Sequence, residues 1–543
     1  MGILVLTDLS LGLSTSAMAA LIAIVGAVAT LLAIYRAFRR AKQTKRFPLP
    51  PGPPGEFLLG HYRTVPEDAA FMKYAEWAKE YQTDVLYFET FGTRWIVLNT
   101  LAAAEDLLEK RGAKYADRPR FVMFEEMGWS PTLTWLRWGP KYHLHRRILQ
   151  PSFSKSKVVQ YMPMQRKEAL VCCKSMTADP GSWTNSTRRF AVAIVLNIAY
   201  GLDVDGPSSP WIKLADDASN AISKSGAPAS SIMDRIPATR YLPDWLPFME
   251  RLRYAHTWRH AIESITKRPF EASLKRMDEP KRLHEARDFT SIRMAIHTSN
   301  HIEGTSDEFG INDIKGAAAT ILIAGNDTTG ATAMILVLYL MQNPVVQRRA
   351  QDEVDRVIGG KSQRLPTWED VPKLTYVNAV LQETYRMNPL SPLGIPHASI
   401  VDDVYNGMFI PKGTIVYPNV WAMLHDERVY SDPFEFRPER FLSVKDGGRG
   451  EPLPVGNFGF GRRICIGRNL AENSLLIFLA TLLATVDIDW PPGPDGKPTP
   501  FEPEWSFKGA AIVLPFKASI SRRSSRTTEL LEAELESLQE GDS

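Results

Sequence analysis

Phe458-Gly459-Phe460-Gly461-Arg462-Arg463-Ile464-Cys465-Ile466-Gly467 restricts this chain more than any other stretch. It sets one cysteine in a glycine-punctuated turn, with an aromatic residue before it and two arginines beside it. The chain has 3 cysteines. Cys172 and Cys173 are adjacent, in a segment that reads as an ordinary helix. Cys465 is therefore a lone thiolate candidate in a loop shaped to hold something closely. Glycines let the backbone approach a flat ligand and take up positive φ. Turned amide N–H groups can hydrogen-bond a sulfur and moderate its charge. Arg463 is placed to pair with a carboxylate on the same ligand.

At 543 residues, the chain has room for two or three small domains or one large one. The formal net charge of +3 gives no reason to expect nucleic acid as a partner. So few cysteines make no disulfide framework, which places the folded part in a reducing compartment. The sequons at Asn185 and Asn326 would then go unused.

Residues 17–35, Ala17 to Tyr35, are almost all apolar or small, with the preceding apolar flank long enough to cross a bilayer as a helix. Arg36, Arg39, Arg40, Lys42, Lys45 and Arg46 follow, whereas only Asp8 is charged on the other side. The positive-inside rule then puts the rest of the chain in the cytosol. A cleaved signal peptide would carry its positive charges before the apolar run. The expectation is a signal anchor with its basic flank over residues 1–46. A stiff proline-rich hinge follows over 47–56, then a catalytic domain over 57–520, then a charged, mobile tail over 521–543.

Within the body, Val85 to Thr90 and Trp95 to Leu98 read as a hairpin. Val404 to Ile410 reads as another, turned at Asn406-Gly407, with Gly413 to Pro418 continuing that sheet. Helical patterns dominate between them, including Met162 to Met176, Thr187 to Tyr200 and a long segment from Ile311 to Met341. A further helix is expected from Leu470 to Val486. The long segment is apolar enough to suggest a second membrane span. Asn326-Asp327-Thr328-Thr329 interrupts it, at high cost in mid-bilayer. A core helix that aims polar groups at a buried site fits better.

The pattern Phe-x-x-Gly-x-Arg-x-Cys-x-Gly resembles the haem-binding loop of the cytochrome P-450 superfamily. Ala324-Gly325-Asn326-Asp327-Thr328-Thr329 resembles that family's oxygen-activation motif, where a glycine beside a threonine invites a local helix distortion. Glu383-Thr384-Tyr385-Arg386 and Phe436-Arg437-Pro438-Glu439-Arg440-Phe441 follow in the family's order, and resemble its structural triad of Glu383, Arg386 and Arg440. Taken alone, Glu383 and Arg386 are only a helix-face ion pair. Tyr142-His143-Leu144-His145-Arg146 resembles the family's Trp-x-x-x-Arg, with Tyr142 where tryptophan is usual. Pro392 to His397 and Asp402 to Gly407 resemble the fungal branch that acts in secondary metabolism.

The resemblance implies a mainly α fold with small β-sheets (α+β), the cytochrome P-450 fold, preceded by one N-terminal transmembrane helix. It implies haem b, iron protoporphyrin IX, with Cys465 as axial thiolate and metal ligand. Phe458, Gly461, Arg463, Gly467, Arg146 and Tyr142 would bind the cofactor. Asp327 and Thr328 would be catalytic, an acid and an alcohol in series that supply protons when O–O is cleaved. Phe121, Phe124, Leu322, Leu393 and Phe507 would help line an apolar substrate pocket. The implied reaction is oxygen insertion from O2 into a lipophilic small molecule such as a terpenoid, at the endoplasmic reticulum membrane. Electrons would come from NADPH through a separate NADPH–cytochrome P-450 reductase, with cytochrome b5 as a second donor. Lys141, His145 and Arg147 are candidates for a basic docking face. The alternatives are a haem-thiolate isomerase or dehydratase that does not use O2, and a non-enzymatic haem-binding protein. Neither needs the Asp327-Thr328 pair.

Overall fold

The computed structural model describes residues 47–541 apart from 58, 130–131, 207, 224, 227–228 and 278–310. The expected anchor lies outside those residues. The long helices are α1 (Ala70–Glu80), α2 (Pro140–Leu149), α3 (Met162–Ala178), α4 (Trp183–Tyr200) and α5 (Pro210–Ser223). They continue as α6 (Glu250–Met277), α7 (Ile311–Gln342), α8 (Pro344–Ile358), α9 (Thr375–Met387), α10 (Arg468–Thr485) and α11 (Thr527–Gly541). The strands are β1 (Val85–Thr90), β2 (Thr93–Leu98), β3 (His397–Ala398), β4 (Asp403–Tyr405) and β5 (Met408–Ile410). After them come β6 (Ile415–Pro418), β7 (Val486–Asp489), β8 (Trp505–Ser506), β9 (Ile512–Val513) and β10 (Ser519–Arg522). The fold is mainly helical with small sheets.

Helix α7 is the axis. Its most apolar stretch has a mean hydropathy of 1.5 and would pass for a membrane span, but that stretch is 67% buried by the rest of the protein. It packs on α4 and also touches α2, α5, α6, α9 and α10. Small residues make the closest crossing possible. A Cβ on Gly325 would overlap Val195 Cγ1 of α4, and one on Gly330 would stand 3.5 Å from the Ala191 Cβ. Glycine is required at 325 because a neighbouring helix lies there. The α-helix runs unbroken through this point, so the expected distortion is not a break in the helix. Helix α10 is the second apolar core element, and packs against α3, α7, α8 and α9. The Cys465 loop leads directly into it.

The largest sheet has the order β1-β2-β6-β3. Strands β1 and β2 form the expected antiparallel hairpin, with Val85 opposite Leu98 and Thr90 opposite Thr93. Strands β4 and β5 form the other, turned through Asn406 (φ 48°) and Gly407 (φ 75°). Strand β6 does not continue that hairpin. Gly413 (φ 80°) turns the chain away, and β6 runs parallel to β2 with Trp95 opposite Ile415.

The proline-rich segment is tied to these sheets. The Pro48 carbonyl accepts from Phe409 N–H at 2.7 Å and the Pro51 carbonyl from Tyr87 N–H at 2.9 Å. Prolines have no N–H to offer, but their carbonyls still pair with strand edges.

The C-terminal segment departs from the expected mobile tail. Residues 519–522 pair with β7, and α11 docks on α3. Its charged sequence hides an apolar stripe: Leu531 is fully buried, and Leu535 and Leu538 pack against the core at helical spacing. Arg166–Glu534 (2.8 Å) and Lys174–Glu532 (3.2 Å) flank the stripe.

Candidate active site

The Cys465 loop is closed by its own backbone. Cys465 N–H donates to the Phe458 carbonyl at 2.8 Å. Gly459 (φ 76°) and Gly461 (φ 51°) adopt left-handed conformations, and a Cβ on Gly461 would overlap the Leu108 carbonyl oxygen. Gly467 differs. Its φ is −82°, and a Cβ there would make ordinary contact with Cys465 Sγ at 3.8 Å. Nothing among the described residues demands a glycine at 467. Phe458 meets Tyr385 edge-on, with ring centroids 5.5 Å apart. Cys465 keeps accessible surface. Burial pushes the thiol up, while the amides of Gly467 and Arg468 and the Arg146 guanidinium favour the thiolate.

Helix α2 clamps this loop from one side. Tyr142 donates its hydroxyl to the Arg462 carbonyl at 2.6 Å, and Arg146 Nη1 donates to the Ile464 carbonyl at 2.8 Å. The Arg463 guanidinium lies 3.8 Å from the Tyr142 ring centroid. Tyrosine in place of tryptophan thus carries a stacked arginine and holds the loop backbone. The Trp138 ring lies beside both guanidiniums, with Arg462 and Arg463 5.7 and 5.8 Å from its centroid.

Arg463 is buried. Its Nε donates to the Ala116 carbonyl (2.6 Å) and its Nη2 to the Leu136 carbonyl (2.8 Å), while Nη1 has no partner among the described residues. Two further buried basic side chains stand near it and were not singled out by sequence. Arg118 donates to the Ile395 and Pro396 carbonyls, and His397 Nδ1 meets the Tyr115 carbonyl at 2.9 Å. Burial and then the charge of Arg463 hold Arg118 well below its ordinary pKa. Burial and then the charge of Arg118 do the same to His397. An orphaned guanidinium N–H beside a second buried guanidinium and a buried histidine calls for an anion. A cofactor carrying carboxylates, set against Cys465, fits these residues.

On α7, Ala324 and Thr328 are the only exposed residues between Asp313 and Met341. They lie one turn apart, so one narrow face of a buried helix is open. Thr328 Oγ1 donates to the Ala324 carbonyl at 2.8 Å. Asp327 turns the other way, to Ser219 of α5 and to Asn326. Burial pushes the Asp327 carboxyl up to about 6, against the pull of the Ser219 hydrogen bond and the Arg188 charge.

Glu383, Arg386 and Arg440 meet with no exposure at all. Arg386 grips Glu383 through Nε (2.8 Å) and Nη2 (2.9 Å), and Arg440 Nε reaches Glu383 Oε1 at 3.0 Å. Sequence missed the fourth member. Glu451 Oε2 accepts from Arg440 Nη1 at 2.7 Å, so two carboxylates balance two guanidiniums. Charge balance is what makes a dry cluster tolerable.

One other expectation changes. His145 is fully buried, with Nε2 3.2 Å from Asp313 Oδ1, because Tyr142, His145 and Leu149 share the inward face of α2. It cannot belong to a docking face; Lys141 and Arg147 are exposed. Phe121 and Phe124 line a cavity of about 610 Å³ with Trp129 and Trp135, to which neither Cys465 nor Thr328 contributes. Phe507 packs on Phe71 and Trp505.

Comparison with known proteins agrees with this geometry. The Cytochrome P450 family model matches residues 50–515. The chain belongs to the cytochrome P450 family. Among its curated relatives, tryptamine 4-monooxygenase of Psilocybe cyanescens is 34% identical over 449 residues, covering 81% of this chain and 86% of the relative. Cytochrome P450 monooxygenase 176 of Postia placenta is 35% identical, covering 87% of this chain and 90% of the relative. Cytochrome P450 monooxygenase 98 of the same fungus is 32% identical, with 86% and 89% covered. This cytochrome P450 is a monooxygenase of the fungal branch, with haem on a cysteine thiolate, a redox partner and a small-molecule substrate.

Proposed function

We propose that this cytochrome P450 inserts one oxygen atom from O2 into a lipophilic small molecule in fungal secondary metabolism, with terpenoids the leading class. The observation that carries the reading is the narrow open face of α7 at Ala324 and Thr328, together with the accessible Cys465. When bound, haem supplies the oxidation, and the protein supplies orientation, protons and exclusion of water. Cys465 would hold the iron. Arg463, Arg118 and His397 would hold the carboxylates, Gly467 would admit the flat ring, and Tyr142 and Arg146 fix the loop that carries the sulfur. Thr328 would offer its hydroxyl at the open face of α7, and Asp327 would relay protons to it from solvent. The Glu383–Arg386–Arg440–Glu451 cluster locks the segment leading into the loop.

Electrons come from NADPH through a membrane reductase, with cytochrome b5 as a second donor and the exposed Lys141 and Arg147 at the docking face. The N-terminal anchor holds the enzyme at the endoplasmic reticulum membrane with its catalytic domain in the cytosol. Microsomes containing the full chain and a reductase, offered terpenoid scaffolds and indole amines, test the substrate class. NADPH-dependent hydroxylation of a terpenoid supports it. Turnover of indole amines alone replaces the terpenoid reading with one nearer the tryptamine-oxidising relative.

A further inference from the structure

Asp327 and Thr328 are neighbours in sequence that face different parts of the protein. Successive residues of an α-helix point about 100° apart. Thr328 faces the open side of α7, and its own proton goes to the Ala324 carbonyl. Asp327 faces α5, where Ser219 Oγ donates to its Oδ1. Asn326 Nδ2 donates to that same Oδ1 and to Ser219 Oγ, both at 3.2 Å, and Asn326 is itself buried. One turn earlier on α5, Asp216 pairs with Arg188 of α4, and that pair is partly exposed (side chains 32% and 39%). Arg188 and Asp216 are the charged groups that face Asp327 from the helices packed there, with Asp217 behind Asp216. The acid thus sits between a surface ion pair and the alcohol, and its hydrogen bonds hold it on the surface side.

We propose that Ser219 is a positioning residue that latches Asp327 toward the Arg188–Asp216 pair, and that the carboxyl reaches Thr328 only when α5 lets it go. The inference rests on the proposed roles of Asp327 and Thr328. In the latched position Asp327 takes up a proton from solvent beside Arg188 and Asp216. Once released, its O–H bond breaks as the Thr328 oxygen gains that proton. Thr328 passes its former hydroxyl proton to a water oxygen at the open face of α7, where Thr328 is exposed. One proton enters, one leaves, and no electron moves. Because α5 also packs on α6, a shift of α5 is the motion that opens the latch.

The test uses the full-length holoenzyme as wild type, Ser219→Ala, Ser219→Thr and Asp327→Asn, each shown to retain its carbon monoxide spectrum and melting transition. Infrared difference spectra against Asp327→Asn follow the Asp327 carboxyl through a pH titration, independently of turnover. The yield of product per NADPH is measured over the same pH range. Losing a hydrogen bond to the ionised form raises the midpoint, so Ser219→Ala shifts it upward by about one pH unit. The pH profile of the yield shifts with it, and Ser219→Thr restores both. A Ser219→Ala protein whose midpoint and profile match wild type overturns the latch. An Asp327→Asn protein with wild-type yield at every pH overturns the underlying role of Asp327 instead, whatever Ser219 does.

Discussion

Arg146 Nη1 donates to the Ile464 carbonyl at 2.8 Å, immediately before Cys465 in the chain. With Tyr142 on the Arg462 carbonyl, it makes α2 a two-point brace for the loop that carries the sulfur. The brace acts on backbone atoms, so the loop's shape is fixed by α2 as well as by its own glycines.

Removing one point of the brace is a mild and readable perturbation. Tyr142→Phe keeps the ring under Arg463 and leaves the Arg462 carbonyl without its donor. We expect a loss of about 1 kcal/mol and faster haem release to an apomyoglobin acceptor. An unchanged release rate would mean that the brace does not hold the loop.

Gly325 is required by packing rather than by helix bending. Gly325→Ala pushes a methyl into Val195 of α4, whose β-branched side chain has little rotamer freedom in a helix. The expected cost is about 1–3 kcal/mol in chemical denaturation. Adding Val195→Ala should recover part of it; no recovery in the double mutant would point back to a backbone role for the glycine.

How much of this was legible in the sequence depends on the distance between partners. The Cys465 loop, the β1–β2 hairpin and the core character of α7 are local patterns, written in glycines, β-branched residues and a polar break in an apolar run. Ser219 and Asp327 are 108 residues apart, and no periodicity links them. Arg118 carried no motif of its own, and its partners are carbonyls of the Ile395–Pro396 segment. His145 looked like one more charge on a basic helix until the inward face of α2 was fixed by packing. The docking of the C-terminal helix was hidden because acidic residues outnumber the leucines that dock it.

The charge cluster gives a graded prediction. Glu383→Ala strands two buried guanidiniums and costs about 3–5 kcal/mol, enough to prevent accumulation of holoenzyme. Glu451→Gln keeps shape and a hydrogen-bond acceptor while removing the balancing charge, and should lower the melting temperature without abolishing haem binding. Equal effects from the two would show that charge balance is not what Glu451 provides.

Asp327 sets a pH dependence with a definite sign. Its folded-state pKa of about 6 lies above the ordinary 3.8, so the folded form keeps its proton where the unfolded chain has lost it. Stability from this group is full below about pH 4 and is lost as pH rises through about 6. Relative to Asp327→Asn, the wild type should lose about 2–3 kcal/mol between those limits. Parallel melting curves for the two proteins, with a constant gap from pH 4 to 7, would rule out the buried acid.

Helix α11 should matter to the whole domain. Truncation after Arg526 uncovers α3 and removes the Arg166 and Lys174 pairs. A lower melting temperature with an unaltered haem spectrum is expected; an unchanged melting temperature would make α11 dispensable.

The central claim is that Cys465 is the thiolate under the iron. The most direct measurement is the reduced, carbon monoxide-bound absorption spectrum of the full chain in microsomes, wild type beside Cys465→Ala. A red-shifted thiolate band in the wild type that disappears in the variant is the predicted result. A variant that keeps the band would contradict the account.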